Sequence, residues 1–135
     1  MKRIISLFIL IIFSSCDPGV VNTFVIENKT ESDVTIESIL EYGRRNISDK
    51  DSIKTVELKC KSESLIVEYG EIGTAQDKGI DFLEGIDTII VKRKNRILNK
   101  NIFDRNNWEY KVLKSGLFSM DEVEYKLILT ENYFK

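Results

Sequence analysis

The stretch Val123-Glu124-Tyr125-Lys126-Leu127-Ile128-Leu129-Thr130 carries Val123, Tyr125, Leu127 and Leu129 at every second position. A period of two belongs to a strand with one face buried; an amphipathic helix repeats near 3.6. The same signature recurs along the chain. Val21 to Glu27 alternates, with Phe24 and Ile26 facing the core, and a polar turn over Asn28 to Asp33 leads into Val34 to Leu40. The pair reads as a β-hairpin. Ile36, Ile39 and Leu40 would also line a helix face, but the β-branched opening of that segment favours a strand. Further strands are expected at Ile53 to Cys60, with Val56, Leu58 and Cys60 inward, and at Ser64 to Tyr69. Ile86 to Val91 is the most apolar run and is expected to be central; Trp108 to Val112 and Val123 to Thr130 complete the set. About seven short strands separated by turn signals predict an all-β sandwich. A single proline in 135 residues argues against a disordered stalk.

The first 16 residues obey a different logic. Met1-Lys2-Arg3 is charged, Ile4 to Phe13 is apolar, and Ser14-Ser15-Cys16 is small. This is the layout of a secretory signal. The apolar run of about 10 residues falls short of the roughly 18–20 that span a bilayer as a helix, and Pro18-Gly19 follows at once. Phe13-Ser14-Ser15-Cys16 resembles the lipobox of bacterial lipoproteins, with Phe13 where leucine is usual. That resemblance implies a cleaved signal peptide over residues 1–15, a lipidated tether over 16–20 beginning at Cys16, and a sandwich domain over 21–135. It further implies a diacylglyceryl group on the Cys16 sulfur and acylation of the new amine; two or three chains hold a protein where one does so only marginally. The expected location is the cell envelope, with the outer membrane favoured over the inner.

Removal of 15 residues from 135 leaves 120, a single-domain length with enough chain for one core. Loss of Lys2 and Arg3 leaves 18 basic against 22 acidic residues, a net charge of −4, which is no footprint for nucleic acid. The chain has no histidine. Ser-His-Asp and Cys-His catalysis, histidine zinc sites and imidazole switching are thereby excluded. Carboxylate acid–base chemistry and oxygen-ligated calcium remain open to such a composition, but no motif for either is present; Asp49-Lys50-Asp51-Ser52 lacks the glycine and distal glutamate of a calcium loop and reads as a solvated turn. With Cys16 lipidated, Cys60 has no cysteine partner and reads as a buried, inert thiol. No cofactor, metal or catalytic residue is expected.

Four places carry candidate recognition chemistry. Four glycines fall within Gly70 to Gly85, the longest irregular stretch, and its Glu71, Asp77, Asp81 and Phe82 are the candidate recognition residues. The basic turn Lys92-Arg93-Lys94-Asn95-Arg96, with Lys100 nearby, either meets anionic headgroups or simply keeps a hairpin tip soluble; the second reading is favoured. Trp108 and Tyr110 either form a platform for a sugar or pack in the core, and the core is favoured. Asp51-Ser52-Ile53 and Asp87-Thr88-Ile89 resemble the Asp-Ser/Thr-aliphatic sequon of periplasmic O-glycosylation, which marks Ser52 and, less strongly, Thr88.

Taken with the lipobox, the opening strand Phe24-x-Ile26-x-Asn28-x-Thr30 and the late strands Trp108-x-Tyr110 and Tyr125-x-Leu127 resemble small Gram-negative lipoproteins carrying one immunoglobulin-like sandwich. The resemblance implies a fold and no activity. The expected role is a membrane-anchored, non-enzymatic protein-interaction module of the envelope. A glycan-binding accessory protein is the alternative, and a carboxylate-dependent hydrolase a more distant one.

Overall fold

The computed structural model describes residues 18–40, 53–83, 86–116 and 119–134. Among the described residues eight strands, β1 (Gly19–Asn28), β2 (Val34–Leu40), β3 (Ile53–Leu58), β4 (Ser62–Ile72), β5 (Ile86–Arg93), β6 (Arg96–Ile97), β7 (Trp108–Lys114) and β8 (Asp121–Leu129), form two four-stranded sheets. One sheet has the order β4-β1-β8-β7 and the other β3-β2-β5-β6. The expected all-β sandwich is therefore present, and the strand beyond the expected seven is the two-residue β6.

β8 obeys its sequence pattern without exception: Asp121, Val123, Tyr125, Leu127 and Leu129 face inward, and the residues between them are partly exposed. It lies beside β1 in parallel register, Val20 opposite Asp121 and Asn28 opposite Leu129. On its other side β1 pairs antiparallel with β4. Their register shifts between Phe24 and Val25, so that β4 carries Ile66 as an additional residue. An inserted residue breaks the alternation locally; Ile66 and Val67 are both buried while Leu65 is left 44% exposed. Phe24 is the centre of the core. Its ring stacks on Tyr125 (centroids 5.1 Å apart) and Tyr69 (5.8 Å) and meets the edge of Trp108 at 6.0 Å. Offset and edge-on arrangements of this kind satisfy the ring quadrupoles.

Sheet membership overturns the expected hairpin and reveals a second crossing like it. β1 and β2 are not a hairpin: they lie in different sheets, and β2 pairs with β3 and β5. β3 and β4 likewise sit on opposite sheets and are joined across the sandwich by Lys59 to Lys61. The buried Asn28 ties both crossings together. Its amide nitrogen lies 2.9 Å from the Ser32 carbonyl, 3.3 Å from that of Leu58 and 3.1 Å from that of Lys59. Its oxygen accepts from the Thr30 amide at 3.0 Å and the Thr30 hydroxyl at 2.7 Å. The polar segment after β1 thus turns the chain into the other sheet.

Cys60 is a further correction. Alternation through Val56 and Leu58 points it inward, but β3 stops at Leu58 and Cys60 is exposed in the connection. The Asp33 carboxylate ends the strand, accepting the Cys60 amide at 3.0 Å and the Lys59 ammonium at 2.8 Å. Lys61, with φ of 56°, completes the turn in the left-handed region. The expected leader, Cys16, Ser52 and the expected turn at 49–52 lie outside the described residues.

Candidate functional site

Register fixes what gathers at each end of the sandwich. Gly19 opens β1 opposite Ile72, the last residue of β4, and Val20 lies opposite Asp121, the first of β8. The loop after β4, the loop before β8 and the chain's entry into the fold therefore share one end. The basic β5–β6 turn lies at the other, since β5 runs antiparallel to β2 and reaches Thr35 with Lys92.

The irregular stretch expected from Gly70 is shorter than the glycines imply, because β4 continues through Ile72. What remains is not a slack connection. Gly73 donates its amide to the Pro18 carbonyl at 2.8 Å, and Ala75 donates to the Asp121 carboxylate at 2.8 Å. The Lys78 amide donates to the Tyr125 hydroxyl at 3.1 Å. Gly79 sits at φ +60°, a conformation open to glycine at no steric cost, and begins a 3-10 turn over Gly79–Asp81.

Two ion pairs fasten the loop from its sides. The Arg105 guanidinium grips the Asp77 carboxylate with both prongs, Nε at 2.8 Å and a terminal nitrogen at 2.6 Å. It lies over the rings of Phe82, Tyr110 and Tyr125, with centroid distances of 5.8, 5.7 and 5.1 Å, so cation–π attraction adds to the fork. The Arg105 hydrogen bonds hold the Asp77 carboxyl below its ordinary range, with burial opposing them. On the other side Lys78 pairs with Glu71, whose second oxygen accepts from Asn22 at 2.7 Å. Burial works most strongly against the Lys78 ammonium, yet Glu71 and Tyr69 together outweigh it and the net shift is upward. Asp121 is lowered by the amides of Ala75 and Gly116, which bond its two oxygens. Asp77 and Asp121 are thus both shifted downward, opposite to what a general acid needs.

Between these pairs opens a cleft of about 460 Å³, lined by Val20, Glu71, Ile72, Gly73, Thr74, Gln76, Asp77, Lys78 and Asp81. Three of the four residues singled out from sequence, Glu71, Asp77 and Asp81, therefore meet at one site. The fourth does not: Phe82 is fully buried among Phe24, Trp108 and Tyr125. Its place in a glycine-rich stretch resembles exposure, but it is the plug that seats the loop on the core. Arg105, Asn22, Asp121 and Tyr125 complete the site and were not foreseen. Asn22 and Asp121 carry a readable signal, a polar residue at an inward position of an alternating strand; Arg105, in a polar connection, has none.

The remaining candidates fall elsewhere. Trp108 is core, its indole N–H donating to the Ile102 carbonyl at 2.7 Å. Thr88 is half-buried in β5 and its hydroxyl bonds the Asp87 carboxylate at 3.1 Å. In the basic turn Arg93 is engaged by Ser32 and Glu131 and stacks on Phe134, and Lys92 pairs with Glu37 at 2.8 Å. Lys94 and Arg96 stay exposed beside a pocket of about 380 Å³. Among the described residues no cluster of acidic or cysteine side chains could hold a metal ion, and no helix is long and apolar enough to cross a membrane. No family model, curated protein or solved structure matches the chain. Fold and site define a β-sandwich domain of the kind suited to protein interaction, with a pinned loop end.

Proposed function

We propose that this chain is the precursor of a lipid-anchored envelope protein whose sandwich is a non-enzymatic protein-interaction module. The observation that carries the reading is the junction between leader and fold. A charged, apolar and small-residue segment ends at Cys16, and Pro18 is already bonded to Gly73 at the end of β4. An acylated Cys16 holds the sandwich to a membrane with almost no intervening linker. The cleft contributes fixed charge of both signs on a rigid frame, the property that recognition of a partner requires. We read the sandwich as immunoglobulin-like on its size, its paired four-stranded sheets and its loops gathered at the ends; the parallel β1–β8 pair departs from the antiparallel scheme of that class.

The test is a crosslinked pull-down of tagged full-length protein from native membranes, beside a Cys16→Ala variant and an Asp77→Ala/Arg105→Ala variant. A stoichiometric envelope protein lost in both variants is the expected result. Recovery of no partner from a sample whose Cys16 carries acyl chains would overturn the interaction reading.

A further inference from the structure

The end of the sandwich nearest Cys16 carries apolar side chains that the core does not use. Ile72 is 79% exposed, Ile80 89% and Met120 50%. All three lie at this end of the fold. Ile72 lies opposite Gly19 in the β1–β4 ladder, and the Met120 methyl stands 3.1 Å from where a side chain on Gly19 would begin. Ile80 adjoins Asp81, which lines the same cleft as Ile72. Any residue with a side chain at position 19 would push Met120 aside.

Chain length decides what faces these residues. Only Asp17 separates Cys16 from Pro18. An extended chain covers at most about 3.6 Å per residue, so a lipid on Cys16 lies within about 10 Å of the point where Pro18 joins Gly73. The interfacial zone that receives apolar side chains is itself about 5–10 Å deep. Charge opposes the approach only in part: Glu71 and Asp77 are each paired with a cation, while Asp81 beside Ile80 is an exposed carboxylate.

Resting on the anchoring proposed above, we infer that Ile72, Ile80 and Met120 form a membrane-contacting face, seated at the headgroup boundary of the bilayer that holds the lipid. The domain then stands on its loop end with the β5–β6 turn pointing away. The cleft then opens beside the headgroups, so a partner that it recognises is itself held at the membrane, and Lys94 and Arg96 face the aqueous compartment.

Depth-dependent quenching tests this on the full-length, membrane-extracted protein in phosphatidylethanolamine/phosphatidylglycerol vesicles. In a Cys60→Ser background, Ile80→Cys and Ile97→Cys are labelled separately with a polarity-sensitive dye, Ile97 being 63% exposed at the far end. Nitroxide lipids should quench the dye at position 80 at least threefold more than at 97, and its emission should be blue-shifted. Substituting Ile72→Ser and Met120→Ser in the Ile80→Cys protein should remove most of that difference. Equal quenching at 80 and 97, in protein whose Cys16 peptide carries its lipid by mass, overturns the membrane face and leaves the anchoring intact. A Cys16 peptide of unmodified mass overturns both.

Discussion

Replacing Asn28 with alanine should be among the most damaging single substitutions outside the aromatic core. The side chain is fully buried. Its two amide hydrogens serve three carbonyls, those of Ser32, Leu58 and Lys59, so one hydrogen is shared. Its oxygen takes two donors from Thr30. Counting four effective bonds at about 1 kcal/mol net each gives a loss of about 3–4 kcal/mol, since some freed carbonyls regain water. For a domain of this length, that lowers Tm by about 10–20 °C. The assay is urea and thermal unfolding of the purified protein followed by Trp108 emission, with the urea slope expected to stay constant. Thr30→Val should cost less, about 1–2 kcal/mol, because the Thr30 amide keeps its acceptor. Since both residues share one network, the double variant should fall short of additivity by more than about 0.5 kcal/mol. A Tm drop below about 4 °C for Asn28→Ala, or strict additivity with Thr30→Val, would refute the account of Asn28 as the tie between the two crossings.

Arg105→Ala should release the loop after β4, costing about 1–3 kcal/mol because Asp77 is partly solvated, and should abolish hydrogen-exchange protection of the Ala75 and Lys78 amides; unchanged protection would count against the pinning. Acid should destabilise the domain. Asp77 and Asp121 have lowered folded-state values, so their contribution is complete above the unfolded range near 4 and is lost as pH falls through the folded values. Stability should be level from neutrality to about pH 5 and decline below about pH 4, less steeply in an Asp77→Asn/Asp121→Asn variant; identical acid limbs would show that other groups govern the decline. Trp108 is the only tryptophan and should emit at short wavelength and resist acrylamide; free quenching in the folded protein would restore the aromatic-platform reading.

Strand identity was legible wherever one face of a strand is buried and the other wet, as in β8, β1 and the β-branched β2. Alternation reports which face looks inward but says nothing of the neighbour, so the polar residues after Asn28 read as a hairpin turn when they carry the chain to the opposite sheet. It also cannot report where a strand stops. Cys60 continues the period, and only Asp33, 27 residues earlier, removes it from the ladder. The site was half legible: Glu71, Asp77 and Asp81 stand out as carboxylates in a glycine-rich stretch. Phe82 was misplaced because composition is blind to a single side chain folding back into the core. Arg105 gathers its meaning from three rings and a carboxylate contributed by distant parts of the chain.

The parallel pairing of β1 with β8 has a consequence for the timing of assembly. During synthesis β1 emerges well before β8 and waits for it before their sheet can close, since Val20 meets Asp121 and Asn28 meets Leu129. Contacts this far apart in sequence slow folding and delay closure of the sheet until β8 has been made. A partly made chain therefore lacks its final β-partner and stays pliable. Under the export proposed above, that delay is an asset, because the sheet that holds β1 closes only after β8 has passed the translocation channel.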